Sequence, residues 1–218
     1  MASMDLKQRR GLIGQKESDA RLPREYQEVE YIRSNESAYI NSGIECTGDL
    51  SVHFGYMIFT NTNAAICGGI NMTETPLVFR HHSSPTSVGG AYWLQHNAST
   101  RASHSISCNM EEKYDLFLNA DSGVMILNGI TYQSAFALPT GHTTGKNYGI
   151  FARIADDGSI QWKTSSIYFF EFYRNNELIG NFIPCYRKRD GEIGMYDLVT
   201  ETFFTNAGAG SFTKGANV

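Results

Sequence analysis

Residues 183–215 read IPCYRKRDGEIGMYDLVTETFFTNAGAGSFTKG, short aromatic runs broken by turn residues, and the reading of this stretch decides the fold. Ile193, Gly194, Met195, Tyr196 and Asp197 form a short strand pattern, residues 198–201 a polar turn, and Thr202, Phe203, Phe204 and Thr205 a hairpin partner. Asn206-Ala207-Gly208 then breaks the pattern. A chain that ends in a hairpin needs a sheet to receive it.

Upstream, the same alternation recurs. Tyr26, Glu28 and Glu30 fall on one side of a strand and Gln27, Val29 and Tyr31 on the other. Residues 50–59 put Leu50, Val52, Phe54, Tyr56 and Ile58 on a single face, a length suited to a sandwich centre. Residues 64–70, 77–80 and 91–95 continue the meander, with a surface loop expected over residues 81–87, HHSSPTS. Residues 114–118 and 123–127 flank a short turn. Asn128-Gly129 between apolar runs is the strongest short hairpin signal, since a type I′ turn needs positive φ at both central residues. Residues 139–146 read as a loop, 148–153 as a strand, and Asp156-Asp157-Gly158 as a turn before Trp162. Residues 167–173, IYFFEFY, are almost continuously apolar, so both faces of that strand are expected to be covered, one by the opposing sheet and the other by loops or a neighbouring chain. Asn175-Asn176 turns it into the next strand. No stretch after Ala20 holds a helical period, and no repeat is present.

Two motifs bracket this pattern. LPREYQEVEYI over residues 22–32, followed by AYINSG over residues 38–43, opens it, and residues 182–204 close it. The pair resembles the opening and closing motifs of a concanavalin A-like (laminin G-like) jelly-roll family found in bacteriophage structural proteins and gut-bacterial surface proteins. The resemblance implies an all-β antiparallel sandwich over residues 22–218 in which first and last strands lie together, preceded by a free N-terminal arm, residues 1–21.

Composition agrees with one domain. The chain has 218 residues, 41% hydrophobic and 12% aromatic, enough for a single sizeable core, and its Gly, Tyr and Phe content favours strands. The residues before Glu25 carry a local charge of +3 and the remainder −7 within a total of −4. A mildly acidic body argues against a nucleic-acid-binding face. No run approaches the roughly 20 apolar residues of a membrane span, so membrane insertion is not expected, and no secretory leader is legible. Cys46, Cys67, Cys108 and Cys185 form no CxxC pair and read as free, buried thiols.

Catalytic patterns are absent. Glycoside hydrolases of this fold class need a carboxylate pair on one face, and no alternating E-x-D-x-E supplies it. Glu28 and Glu30 read as solvated edge charges, Glu111-Glu112 and Asp156-Asp157 as turn acids. The histidines lack metal-ligand spacing. No cofactor is expected; calcium enters only through the resemblance. For ligand binding, aromatic rings beside polar groups are the useful feature, because sugars stack their C–H faces on rings. Tyr92, Trp93 and His96 form one such group and Trp162 beside Asp156 another, with Tyr92 and Trp93 on opposite strand faces. Core packing is the competing role for either tryptophan. In the arm, Arg9, Arg10 and Lys16 are placed to meet acidic groups of a partner surface, against the alternative of a solvated tail.

The expectation is therefore a non-enzymatic virion-associated protein: a head fibre, decoration or tail adhesin. Its lectin-like domain would face outward toward a host-surface glycan, and its arm would dock on capsid or tail proteins. Self-association is also expected. A carbohydrate-binding module of a bacterial surface or secreted protein is the alternative.

Overall fold

The computed structural model describes residues 21–35, 37–60, 65–70, 80–83, 90–95, 101–106, 109–119, 122–133, 143–155, 158, 160–162 and 164–218, with backbone alone for residues 70, 80–83, 90–95, 101–106, 161 and 162. Every regular element among them is a strand: β1 (Tyr26–Glu28), β2 (Ile32–Asn35), β3 (Ile40–Thr47), β4 (Leu50–Ile58), β5 (Cys67–Ile70), β6 (Arg80–Ser83), β7 (Gly90–Gln95), β8 (Arg101–Ile106), β9 (Lys113–Asn119), β10 (Val124–Leu127), β11 (Ile130–Gln133), β12 (Thr143–Ile150), β13 (Ala152–Ala155), β14 (Ile160–Trp162), β15 (Ser165–Arg174), β16 (Glu177–Arg187), β17 (Ile193–Asp197), β18 (Thr202–Phe204) and β19 (Ser211–Lys214).

The larger sheet runs β11-β10-β9-β4-β15-β16-β17-β18, with β1 joined to β16 and β2 joined to β15 and β19. A second sheet runs β14-β13-β5-β12-β3, and β6-β7-β8 form a third. Alternation along the strands makes the first two face each other. Leu50, Val52, Phe54, Tyr56 and Ile58 of β4 point inward together with Phe170 and Phe172 of β15 and Phe182 of β16. They meet Ile40, Cys46, Cys67, Tyr148 and Ile150 from the second sheet. The Tyr148 ring lies 5.2 Å from that of Phe172 and edge-on to it, and Phe54 stacks on Phe170 at 4.7 Å. Each such side chain contributes about 2 kcal/mol or more by leaving water.

The chain ends close the sandwich. β2 pairs with β19, and Val29 bridges Asn217 beyond them. The expected single strand from Tyr26 breaks at Glu30–Tyr31, so its first half follows β16 and its second half β15. Leu22 packs with Ile183, Cys185 and Tyr196 and the flanking Tyr26, Leu198 and Phe203, and Arg21 pairs with Glu28. This fastens the start of the sandwich to β16–β18. The closing hairpin has the expected register, Asp197 opposite Thr202. Both Asn-rich turns are left-handed: Asn128 and Gly129 at φ 48° and 82°, Asn175 and Asn176 at 51° and 66°.

Three expectations need correction. His81, His82 and Ser83 are not in a loop but in β6, paired with β7; residues 84–87 of that stretch lie outside the described residues. Thr143 to Lys146 belong to β12, whose register against β3 shifts twice, so a bulged strand read as a loop. The strand expected over residues 148–153 is two, because Phe151 takes φ 72°. That turn lets β12 pair antiparallel and β13 parallel with β5. The left-handed backbone is unfavourable for an aromatic residue, and full burial of the ring against Phe212, 5.2 Å away, offsets it.

The apolar run of β15 also differs from expectation. Its register with β4 shifts between Ile167 and Phe169. The shift leaves Tyr168 and Phe169 both half-buried on the outer face, while Phe170 and Phe172 return to the core. That outer face is covered in part by side chains of its own sheet, including His53 and Lys113.

Candidate ligand-binding face

On β4, the inward apolar residues leave His53 and Met57 half-buried on the outer face. His53 is paired across the ladder with Glu171 of β15 on one side and Phe117 of β9 on the other. Two positions on, Gly55 faces Phe169 and Asp115. These pairings bring together three polar side chains that lie 62 and 118 positions apart in sequence. His53 Nε2 lies 3.1 Å from Asp115 Oδ1 and Nδ1 lies 2.9 Å from Glu171 Oε2. The Tyr173 hydroxyl donates to the same Glu171 oxygen at 2.8 Å.

Burial alone would push the His53 imidazole down. The hydrogen bonds and charges of Asp115 and Glu171 outweigh it and raise the group from 6.5 to about 9. At neutral pH the ring is therefore an imidazolium donating from both nitrogens. The carboxylates are unequal in access: the Asp115 side chain is 43% exposed and that of Glu171 16%. Asp115 is thus the group offered to solvent, held in place by the cation behind it. The imidazolium stands between the two acids, so the three do not converge on a common point, and among the described residues no cluster of His, Cys, Asp and Glu is arranged to hold a metal ion.

Beside Asp115 lies an aromatic floor. A Cβ at position 55 would stand 2.7 Å from Phe169 Cε1, so the ring rests directly on the glycine backbone. Phe169 also meets His53 edge-on at 4.9 Å. The bulge in β15 aims this ring, the missing side chain of Gly55 gives it room, and the imidazolium orders its neighbours. A half-buried ring next to a fixed, exposed carboxylate offers an apolar surface and a hydrogen-bond acceptor side by side.

The residues singled out from sequence are distributed differently. Tyr92 and Trp93 are neighbours on β7, at the register positions opposite His104 and Ser103 of β8. Trp162 ends β14, opposite Ala152. β7 and β14 belong to different sheets. The side chains of Tyr92, Trp93 and Trp162 lie outside the described residues, as do His96, Asp156, Arg9, Arg10 and Lys16 in full. His53, Asp115 and Glu171 form no pattern in the sequence, because acids on one strand face alternate along the chain, whereas these stand side by side on three strands. The available signal was an ionisable residue flanked by large apolar ones within each strand: His53 in LSVHFGYMI, Asp115 in KYDLFLN and Glu171 in SSIYFFEFYR.

Of the cysteines, Cys46, Cys67 and Cys185 are buried thiols in no disulfide, and Cys108 lies outside the described residues. Burial pushes all three thiols up, that of Cys185 to about 12, which makes them poor nucleophiles.

No family model matches this chain, and no curated protein matches it. Solved structures do. The chain is similar to the native heptameric SAP-like pentraxin from Limulus polyphemus, with a TM-score of 0.53 at 11% identity, over 86% of this chain and 90% of that one. At that identity the likeness shows the fold alone, an antiparallel β-sandwich of the concanavalin A-like jelly-roll class.

Proposed function

We propose that this chain is a non-enzymatic, lectin-like protein of a bacteriophage particle. The outer face of β9, β4 and β15 takes host-surface carbohydrate, and residues 1–21, with Arg9, Arg10 and Lys16, attach it to capsid or tail proteins. The observation that carries the binding role is the Phe169 ring laid across Gly55 beside the exposed Asp115 carboxylate. The lectin-like fold supports it, and the resemblance of the opening and closing motifs supports the virion setting. Hydrolysis of a glycosidic bond would need a protonated carboxyl facing a second one across the substrate. Here one imidazolium lies between the two acids and donates to both, an arrangement for holding charge rather than transferring a proton. The similar pentraxin is heptameric, which supports self-association; light scattering of the full chain would read a monomer if that is wrong.

The test is binding of the full chain to a bacterial glycan array and to host-cell envelopes, with Phe169→Ala and Asp115→Asn as variants. Saturable binding lost in both variants at an unchanged unfolding midpoint supports the reading. Binding of wild type to no saccharide, or binding unchanged by both substitutions, overturns it. Deletion of residues 1–20 is expected to abolish association with the particle while leaving glycan binding intact.

A further inference from the structure

Beyond the Phe169 platform, the same sheet face carries a row of cations on aromatic rings. Lys113, two residues before Asp115 and so on the same side of β9, sets its Nζ 3.8 Å over the Tyr168 ring. Tyr168 meets Tyr31 edge-on at 5.5 Å. Arg33 of β2 lies 5.8 Å from the Tyr31 ring and 3.6 Å from that of Phe59, its Nε donating to Ser166 Oγ at 3.2 Å. Strand pairing makes the row contiguous, since Met57 is opposite both Lys113 and Ser166, and Ser166 is opposite Arg33.

Neither Lys113 nor Arg33 forms an ion pair among the described residues, although the other arginines near acids do so: Arg21, Arg174, Arg187 and Arg189 each have a carboxylate partner. Glu30 stands close enough to Tyr168 to act with burial in pushing its hydroxyl up, yet it pairs with neither cation. The cations are positioned by rings and, among the described residues, by no paired carboxylate. A guanidinium seated on a ring is oriented, and its fork is suited to a planar carboxylate or a phosphate.

We infer that the ligand of this face is an anionic saccharide, whose neutral ring lies on Phe169 beside Asp115 and whose carboxylate or phosphate is received by Lys113 and Arg33. This inference rests on the proposed glycan-binding role and adds the chemical class of the glycan. Asp115 at one end and the two cations at the other give the face polarity. A neutral chain leaves the cations unmatched.

The experiment is titration of the full chain with polygalacturonate, with phosphomannan and with fully methyl-esterified polygalacturonate, at low and raised salt. The first two separate a carboxylate source from a phosphate source, and the third is the neutral reference. Wild type is expected to bind at least one anionic polymer about tenfold more tightly than the neutral one, with the margin shrinking as salt rises. Lys113→Gln with Arg33→Gln should remove that margin and keep neutral binding. Lys214→Gln is the single-charge control: Lys214 is opposite Ile32, on the other face of the β2–β19 ladder from Arg33, with its Nζ 4.7 Å over Tyr186. An anionic preference that survives the double substitution, is absent in wild type, or falls as much in Lys214→Gln overturns the inference. The two readings fail separately. Loss of neutral and anionic binding in Phe169→Ala belongs to the platform, whereas loss of the anionic margin alone belongs to Lys113 and Arg33.

Discussion

His53 Nδ1 and Glu171 Oε2 lie 2.9 Å apart at directly opposed positions of β4 and β15, and the same imidazole reaches Asp115 on the far side. One side chain thus ties three neighbouring strands of the larger sheet across its outer face. The pairing is both a structural link and the device that holds the Asp115 carboxylate toward solvent.

The link is pH-dependent with a definite sign. The folded-state value is raised from 6.5 to about 9, so its stabilisation is fully present below 6.5 and is lost as pH rises through about 9. Comparing His53→Gln with wild type by urea unfolding should show a gap of roughly 2 kcal/mol at pH 6 that closes above pH 9. An NMR titration should place the ring's midpoint near 9; a midpoint at or below 6.5 would contradict the charge assignment.

Gly55→Ala separates site from core. The new Cβ would stand 2.7 Å from Phe169 Cε1 and 3.3 Å from Tyr168 Cβ, and the half-buried Phe169 can yield only by leaving its place beside Asp115. Stability should fall by about 1 kcal/mol, while glycan affinity falls to the level of Phe169→Ala. Retained affinity would mean that the ring is no part of the site.

Asp197 is 1% exposed and its carboxylate organises the closing turn. Oδ1 accepts the amides of Asn181 at 2.7 Å and Val199 at 3.1 Å; Oδ2 accepts the Thr200 hydroxyl at 2.7 Å and its amide at 3.3 Å. Asp197→Ala strands these donors and should cost about 3 kcal/mol or more in denaturant unfolding. Thr200→Val removes a single bond and should cost about 1 kcal/mol. Equal costs would refute the shared role of the carboxylate.

The last loop is held by Asn206, which accepts from Tyr39 N at 3.1 Å and Gly208 N at 2.9 Å and donates to Gly208 O at 3.1 Å and Gly210 O at 2.6 Å. A Cβ at Gly208 would come within 1.8 Å of the Ser37 carbonyl oxygen. Gly208→Ala should therefore lower stability more than Asn206→Ala, by about 3 kcal/mol or more, because backbone must move rather than a bond be lost. Thermal unfolding of the two variants orders them; the reverse order would show that the loop can relax.

Local chemistry alone made much of the fold legible. Period-two alternation identified the inward row of β4, Asn128-Gly129 and Asn175-Asn176 identified their turns through backbone preference, and the MYDLVTETFF run identified the closing hairpin. These are interactions between residues close in the chain, so they leave a pattern in it. What the sequence did not disclose depends on pairing between distant strands. The bulge that turns Tyr168 and Phe169 outward arises from the register of β15 on β4, and the turn at Phe151 is tolerated because Phe212 covers the ring. The His53–Asp115–Glu171 link and the Lys113–Arg33 row exist only because β9, β4, β15 and β2 lie side by side. Strand order and register are set by the burial of the whole core, which is why tertiary structure, and no motif, decided where the candidate site lies.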